Sequence, residues 1–454
     1  MLLWIIVEKY WAGWNSGKIT AEQVLEGQIP MYLDVGAFIR YNFRAFFKTR
    51  GMQYRLTPKR FLFLFLWNLV FFIVELFNRL FFLLDEIFFP GYRKQEVKAP
   101  IFIIGNPRSG TTFLHRLMFN DRETFTAFTV WELVLAPSVT QRKIVWAFVK
   151  LGRLIGAPIS HRINRINNQF TKGKVSPAHA IRVDGAEEDE HIMIHAFASE
   201  TLFNLYPYPD EVLPYFYFDR DIPREKKRRV MKFYKSMLQR HLYAHGGNKI
   251  LLSKNPSYSS RIAALTETFP DARFIKLVRN PFEALPSMLD SMSIGLHIFC
   301  DPLEKYPFTD EWVELMKYYY LYPVEYFKDK KEKCNFIKYD ELVQHPDEIV
   351  EDLYTWLGLN YSQEFKEVVN QETHSARHYQ SVHQYPLERM GLTEERIVTD
   401  FAEVFSYYEF EHYDMEIPER VMSWKIMNWP KLWKTQRQQR RKKKGGEITL
   451  EGGK

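Results

Sequence analysis

Cysteine is scarce in this chain: its 454 residues include only Cys300 and Cys334, so no disulfide framework can hold the fold together. That scarcity fits a reducing compartment. No cleavable leader is expected either, because the apolar opening from Met1 to Val7 is short and runs into Glu8, Lys9 and Tyr10 without a small-residue cleavage site. The chain has no internal repeat and no coiled-coil heptad, which sets aside solenoids and rods. What remains is enough sequence for one large core with terminal additions, a net charge of +7 and an aromatic content of 16%. So many rings raise the question of whether some face lipid.

A lysine is also missing from a position where one chemistry would need it. The run Ile101-Phe-Ile-Ile-Gly105-Asn-Pro107-Arg108-Ser109-Gly110-Thr111-Thr112-Phe113 passes from an apolar strand pattern through a Gly/Pro turn into a helix. Backbone N–H groups at such a helix start converge on an anion, and the helix dipole favours negative charge there. Gly105 and Gly110 have the spacing of a nucleoside-triphosphate loop, but Thr111 stands where the clamp lysine belongs. Arg108 offers a forked cation inside the loop instead. A second constellation follows a strand: Arg279-Asn280-Pro281, with Ser287 eight positions after the arginine. Pro281 is suited to start a helix, which places Ser287 about two turns along it.

Pro107 to Thr112 after a buried strand resembles the 5′-phosphosulfate loop of sulfotransferases that use 3′-phosphoadenosine 5′-phosphosulfate (PAPS), and Arg279 with Ser287 matches the spacing of that family's 3′-phosphate pair. Leu252 to Pro256, Phe269 to Arg273, Tyr339 to Pro346 and Leu353 to Leu359 extend the resemblance over roughly 101–400, closest to the broad bacterial-type group. The resemblance implies an α/β, P-loop-like three-layer fold with a parallel central sheet. It also implies donor binding by Arg108, Ser109, Gly110, Thr111, Thr112, Phe113, Arg279 and Ser287, release of adenosine 3′,5′-bisphosphate and no metal. Independently, apolar runs at Lys249–Ser253, Arg273–Val278 and Asn335–Tyr339, each followed by a helical pattern, argue for a parallel sheet with ligands at its carboxyl edge.

An acceptor oxygen that attacks sulfur must lose a proton, and the departing oxygen needs cations. The resemblance puts Lys254 near the transferred group, with Arg108 assisting. Cytosolic members carry a histidine two residues after that lysine; here Pro256 stands there, which points to a carboxylate base. Asp184, Glu187, Glu188, Asp189 and Glu190 precede His191 and His195. Asp184 with Glu187 reads as a capping box at a helix start. Glu188, without a capping duty and sharing a face with both histidines, is the first candidate base, and Glu187 the second. The same histidines with Glu188 also have a zinc-like spacing, without a visible third ligand.

Residues 1–98 form an aromatic, basic N-terminal region, 99–415 the catalytic domain, and 416–454 a basic tail carrying Trp424, Trp429 and Trp433. Phe61–Phe89 is long enough to cross a bilayer, but Asn68, Glu75, Arg79 and Glu86 make a stripe along it, flanked by Asn78 and Asp85. That pattern suits a helix lying in a membrane interface or one packing its stripe on the catalytic domain; a span and a buried core helix are the alternatives. Basic flanks agree with membrane contact. The expectation is a membrane-associated enzyme with its catalytic domain on the cytoplasmic side, sulfating a hydroxyl of a lipid or sterol, with a carbohydrate or small phenol as the alternative acceptors and nucleic acid not expected as a partner. A P-loop-type kinase and an inactive membrane adaptor of the same fold are the rivals.

Overall fold

The computed structural model describes residues 31–154, 185–376 and 387–410. The basic tryptophan-bearing tail from 416 and Asp184 therefore lie outside the described residues. At the centre is a five-stranded parallel sheet of β1 (Ile101–Gly105), β2 (Phe125–Thr126), β3 (Ile250–Lys254), β4 (Arg273–Val278) and β5 (Cys334–Lys338), in the order β2-β3-β1-β4-β5. The expected strands all form. β2, only two residues long, has no counterpart in the sequence pattern.

Both faces of the sheet are covered, as parallel strands require. Phe102, Ile104, Phe274 and Val278 point into one apolar layer, while Ile101, Ile103, Ile275 and Leu277 point into the other. The strands therefore read as continuous apolar runs rather than alternating ones. Register sets the site: Ile103 of β1 lies opposite Lys254 of β3 on one side and Ile275 of β4 on the other. The chain leaves β1 toward β2 and returns past it to β4, so the carboxyl edge at β1 is the topological switch point where α/β sheets bind ligands.

Helices α1 (Val35–Phe47) and α2 (Pro58–Phe88) precede the sheet. Thr57 caps α2, accepting from the Arg60 N–H at 3.3 Å, with Pro58 in the first turn. α2 is long and apolar enough to cross a membrane. Its polar stripe, however, turns inward: Asn68 Nδ2 donates to Asn42 Oδ1 at 2.7 Å, and Gln141 Nε2 donates to Asn78 Oδ1 at 2.9 Å. Of the arrangements open from sequence, the stripe packs on the catalytic domain.

α3 (Thr111–Phe119) follows β1, and α4 (Val130–Val134) and α5 (Val139–Leu154) follow β2. The carboxylate of Asp85, on α2, caps α5 by accepting from the N–H groups of Val139 and Thr140 at 3.0 and 2.8 Å. Further on, α6 (Arg224–Ala244) crosses toward β3, α7 (Pro281–Phe299) follows β4, and α8 (Thr309–Phe327) covers the loop after β1.

Candidate functional site

The loop between β1 and α3 is tight. A side chain at Gly105 would meet Ser109 Oγ at 2.8 Å, Thr111 Cγ2 at 2.8 Å and the Leu277 carbonyl at 2.9 Å, so only hydrogen fits. Arg108 and Gly110 both take positive φ, 68° and 85°. For glycine this is free, whereas for arginine it is strain of the kind binding loops hold. The strain is held from outside the loop: Arg279 Nη1 donates to the Arg108 carbonyl at 3.1 Å.

The same contact brings the two sequence motifs together. Arg108 Nε donates to Ser287 Oγ at 2.9 Å, so both arginines and the hydroxyl of α7 converge beside the loop. α7 forms as its sequence dictates: Asn280 caps it, accepting from the Phe282 N–H at 3.1 Å, and Pro281 opens it. Arg279 also ion-pairs with Glu283 one turn on and lies over the Tyr339 ring at 4.2 Å.

Within the loop, Ser109 faces inward. Its hydroxyl donates to the Asn106 carbonyl at 2.6 Å and its N–H to the same oxygen at 3.2 Å. Ser109 therefore shapes the turn, while Arg108, Gly110 and Thr112 are its partly exposed positions. Phe113 packs against the apolar layer beneath.

On the other side of the loop stands a second group. Lys254 Nζ, at the end of β3, donates to Thr112 Oγ1 at 3.2 Å and to Glu188 Oε1 at 2.5 Å, and Asn255 Nδ2 donates to Glu188 Oε2 at 3.0 Å. Burial alone would raise the Glu188 carboxyl, but Lys254 and, less strongly, His191 outweigh it and hold the group below the usual carboxylate range. Glu187 is fixed through its N–H, which donates to the Phe128 carbonyl at 2.9 Å, and its carboxylate has no ion pair among the described residues.

The acidic run does not open an α-helix. It enters a 3₁₀ helix, Asp189–Ala196, with Glu188 just before it. Neighbouring acids go separate ways: Asp189 accepts from the Tyr234 hydroxyl at 2.6 Å and the Ser253 hydroxyl at 2.8 Å, while Glu190 accepts from Ser199 at 2.7 Å and Arg261 at 2.9 Å. These anchors to α6, β3 and the segment after it replace the local helical pattern. Three residues per turn keep His191 on the Glu188 side but turn His195 away. Its Nδ1 contacts Glu75 of α2 and its Nε2 lies 2.6 Å from the Leu133 carbonyl. The shared face expected for Glu188, His191 and His195 is thus corrected, and with it the zinc-like spacing.

Two features escaped the sequence. Lys276, buried on β4, places Nζ 2.7 Å from the Tyr319 carbonyl and 3.3 Å from both Asn106 Oδ1 and Ser259 Oγ, directly beneath the loop; burial pushes its amine down to about 7. Away from this site, Glu132, His241 and His245 bring carboxylate and imidazole atoms within 4.8 Å of one another. The buried Arg142 guanidinium lies 3.5 Å from the same Glu132 oxygen and already supplies the positive charge that carboxylate needs.

Chemically, two cations with a hydroxyl beside a helix N-terminus make a site for a ligand with more than one anionic group. The adjoining lysine–carboxylate pair supplies a proton acceptor and a cation at one place. The donor set of Arg108, Arg279 and Ser287 fits a phosphorylated ligand.

Residues 100–363 match the model of a sulfotransferase family. Omega-hydroxy-beta-dihydromenaquinone-9 sulfotransferases of Mycobacterium bovis and Mycobacterium tuberculosis are each 25% identical over 280 residues, 57% of this chain and 63% of theirs. The match thus spans less than two thirds of those relatives. The crystal structure of a Mycobacterium avium sulfotransferase has the same fold, with a TM-score of 0.57 and 22% identity over 72% of this chain and 80% of that one.

Proposed function

Given that the chain belongs to the sulfotransferase family, we propose that it transfers the sulfuryl group of PAPS to a hydroxyl of a lipid acceptor at a membrane surface, with the catalytic domain, near 99–415, on the cytoplasmic side. The observation that carries this reading is the convergence of Arg108, Ser287 and Arg279 on one side of the loop with Lys254 and Glu188 on the other. A lipid acceptor is favoured by the relatives named for a menaquinone derivative and by the apolar face of α2.

When bound, the donor supplies a sulfuryl group activated by its bond to phosphate. Arg279 and Ser287 hold the 3′-phosphate, and the α3 N-terminus with Arg108 holds the 5′ end. Glu188 takes the acceptor's proton as the new O–S bond forms and the S–O bond to phosphate breaks. Lys254, released from Glu188 as that carboxylate is protonated, balances charge on the departing oxygen together with the α3 N–H groups. The products are a sulfate monoester and adenosine 3′,5′-bisphosphate.

Incubation of the full chain with ³⁵S-labelled PAPS and a total lipid extract tests the proposal: a labelled lipid sulfate is expected. Label moving instead from ATP would restore the kinase reading. Nucleotide binding without transfer to any lipid, sterol or glycan would favour an inactive adaptor.

A further inference from the structure

The outward face of α2 is uniformly apolar. Every exposed position between Phe61 and Leu80 is Phe, Leu, Ile or Val, and Phe72 is 65% exposed. Neighbouring helices continue the surface, with Phe43 and Phe47 of α1, Val145 and Phe148 of α5, and Ile294 and Ile298 of α7 also exposed. Direct contacts join these helices to α2. The Phe46 ring meets Phe61 at 5.6 Å, Phe63 meets Phe299 at 5.4 Å, and Gln141 of α5 bonds Asn78. A soluble monomer rarely leaves so large a contiguous apolar patch in water.

Length alone would let α2 span a bilayer, since 31 residues make a helix of about 46 Å. Its packing opposes that. Along its second half the inward stripe is bound to the catalytic domain, from Glu75 on His195 through Asn78 on Gln141 to Asp85 on Arg240, while Asn68 bonds Asn42 of α1. A spanning pose would strip these groups from their partners and leave charges in hydrocarbon. The rim of the patch is basic: Lys48, Arg50, Arg55 and Lys59 are exposed at the turn between α1 and α2, and Lys143 and Lys150 on α5. At that turn a cleft of about 490 Å³ is lined by Arg50, Arg55, Leu56 and Leu303. Cations around an apolar face complement an anionic lipid surface.

We propose that this face is a monotopic docking plate: α2 lies in the plane of one leaflet of an anionic bilayer, its aromatic and aliphatic side chains at the acyl boundary, and does not cross it. The plate rests on the membrane-associated reading above for its partner and not on sulfuryl transfer. It also places the chemistry. α7 carries Ser287 near its start and Ile298 on the plate, about 16 Å further along the axis, so an acceptor hydroxyl is drawn from the same leaflet.

Sedimentation of the full chain with phosphatidylcholine vesicles, with and without phosphatidylglycerol, tests the plate. Binding that grows with the anionic lipid is expected. The triple variant Phe65→Ser, Phe72→Ser, Leu76→Ser should lose about tenfold or more of it while its affinity for adenosine 3′,5′-bisphosphate stays unchanged. Unchanged vesicle binding in that variant, or a stable dimer in place of vesicle binding, overturns the proposal. Nitroxides at Leu62→Cys, Leu69→Cys and Phe77→Cys, with the native cysteines buried, should report one shallow depth; a gradient along the helix means a span and equally overturns it. Because nucleotide affinity is read separately, failure of the plate and failure of the sulfotransferase reading leave different signatures.

Discussion

Arg108 and Ser287 stand 179 positions apart in the chain, yet Arg108 Nε donates to Ser287 Oγ at 2.9 Å. Together with Arg279, whose guanidinium reaches the Arg108 carbonyl, they join two motifs into one cluster, the proposed anion site. If that site holds the 3′-phosphate, Arg279→Ala should weaken adenosine 3′,5′-bisphosphate by about tenfold to a hundredfold, the worth of a hydrogen-bonded charge. Adenosine 5′-monophosphate, which lacks the second phosphate, should be little affected. Equal calorimetric affinities of variant and parent for the bisphosphate would sink the assignment.

Glu283 competes for the same guanidinium. Its half-exposed carboxylate pairs with Arg279 one helical turn away, so an incoming phosphate must displace it or share the cation. Removing that charge in Glu283→Gln should tighten bisphosphate binding by about two- to fivefold, as expected for an exposed ion pair. Weaker binding in this variant would mean that Glu283 orients Arg279 rather than competing.

The parts of this site that were legible in the sequence are those encoded locally. Ile101 to Thr112 carries its own strand, turn and helix start, and Asn280-Pro281 sets the start of α7. The pairing of Arg279 with Ser287 was reachable only through the family spacing, and the Arg108–Ser287 bond not at all, since nothing local to either residue implies the other. The acidic run before His195 misled because its pattern is that of an α-helix start, while the conformation of its described part, from Glu187 on, is set from outside by Tyr234, Ser253 and Arg261 gripping Asp189 and Glu190. Lys276 was invisible because a lysine inside an apolar strand carries no sign of what lies beyond the sheet edge. β2 is too short for any periodicity.

Asp189 makes that external grip pH-dependent. Burial pushes its carboxyl from 3.8 up to about 6, against the opposing hydrogen bonds from Tyr234 and Ser253. The folded protein therefore holds a proton that the unfolded chain releases, and this group's contribution to stability falls as pH rises from about 4 to 6, then stays level. The loss amounts to about 3 kcal/mol. Asp189→Asn should remove this dependence, so its melting temperature should gain on the parent's across that window. A parallel offset at every pH would show that Asp189 does not titrate there.

The buried pair of Asp85 and Arg240 anchors α2 to the domain. Both side chains are fully buried 3.0 Å apart, and Asp85 also caps α5. Asp85→Ala takes the nearer carboxylate from the buried guanidinium and uncaps the helix, and should cost about 3–5 kcal/mol, read as a lowered midpoint in urea. Exchange protection should fall first in α2 and α5. A near-neutral effect would mean that Glu86, at 3.2 Å from Arg240, carries the pair unaided.

In the proposed mechanism Glu188 and Lys254 together set how the reaction answers to pH. Glu188 must be ionised to accept a proton, and Lys254 keeps it ionised below the usual carboxylate range despite burial. Because the folded carboxyl is depressed, its share of stability and its competence as a base are both present at neutral pH and lost only as pH falls through that lowered value. The acid limb of kcat should therefore lie below the ordinary carboxylate range. Glu188→Gln should reduce kcat by about a hundredfold to ten-thousandfold with bisphosphate affinity nearly unchanged, which separates a base from a structural group. In Lys254→Ala, burial acts on Glu188 without its main opponent, so the surviving activity should show an acid limb moved to higher pH. An acid limb that stays in place would assign the base to another group, and Glu187→Gln is then the variant that decides.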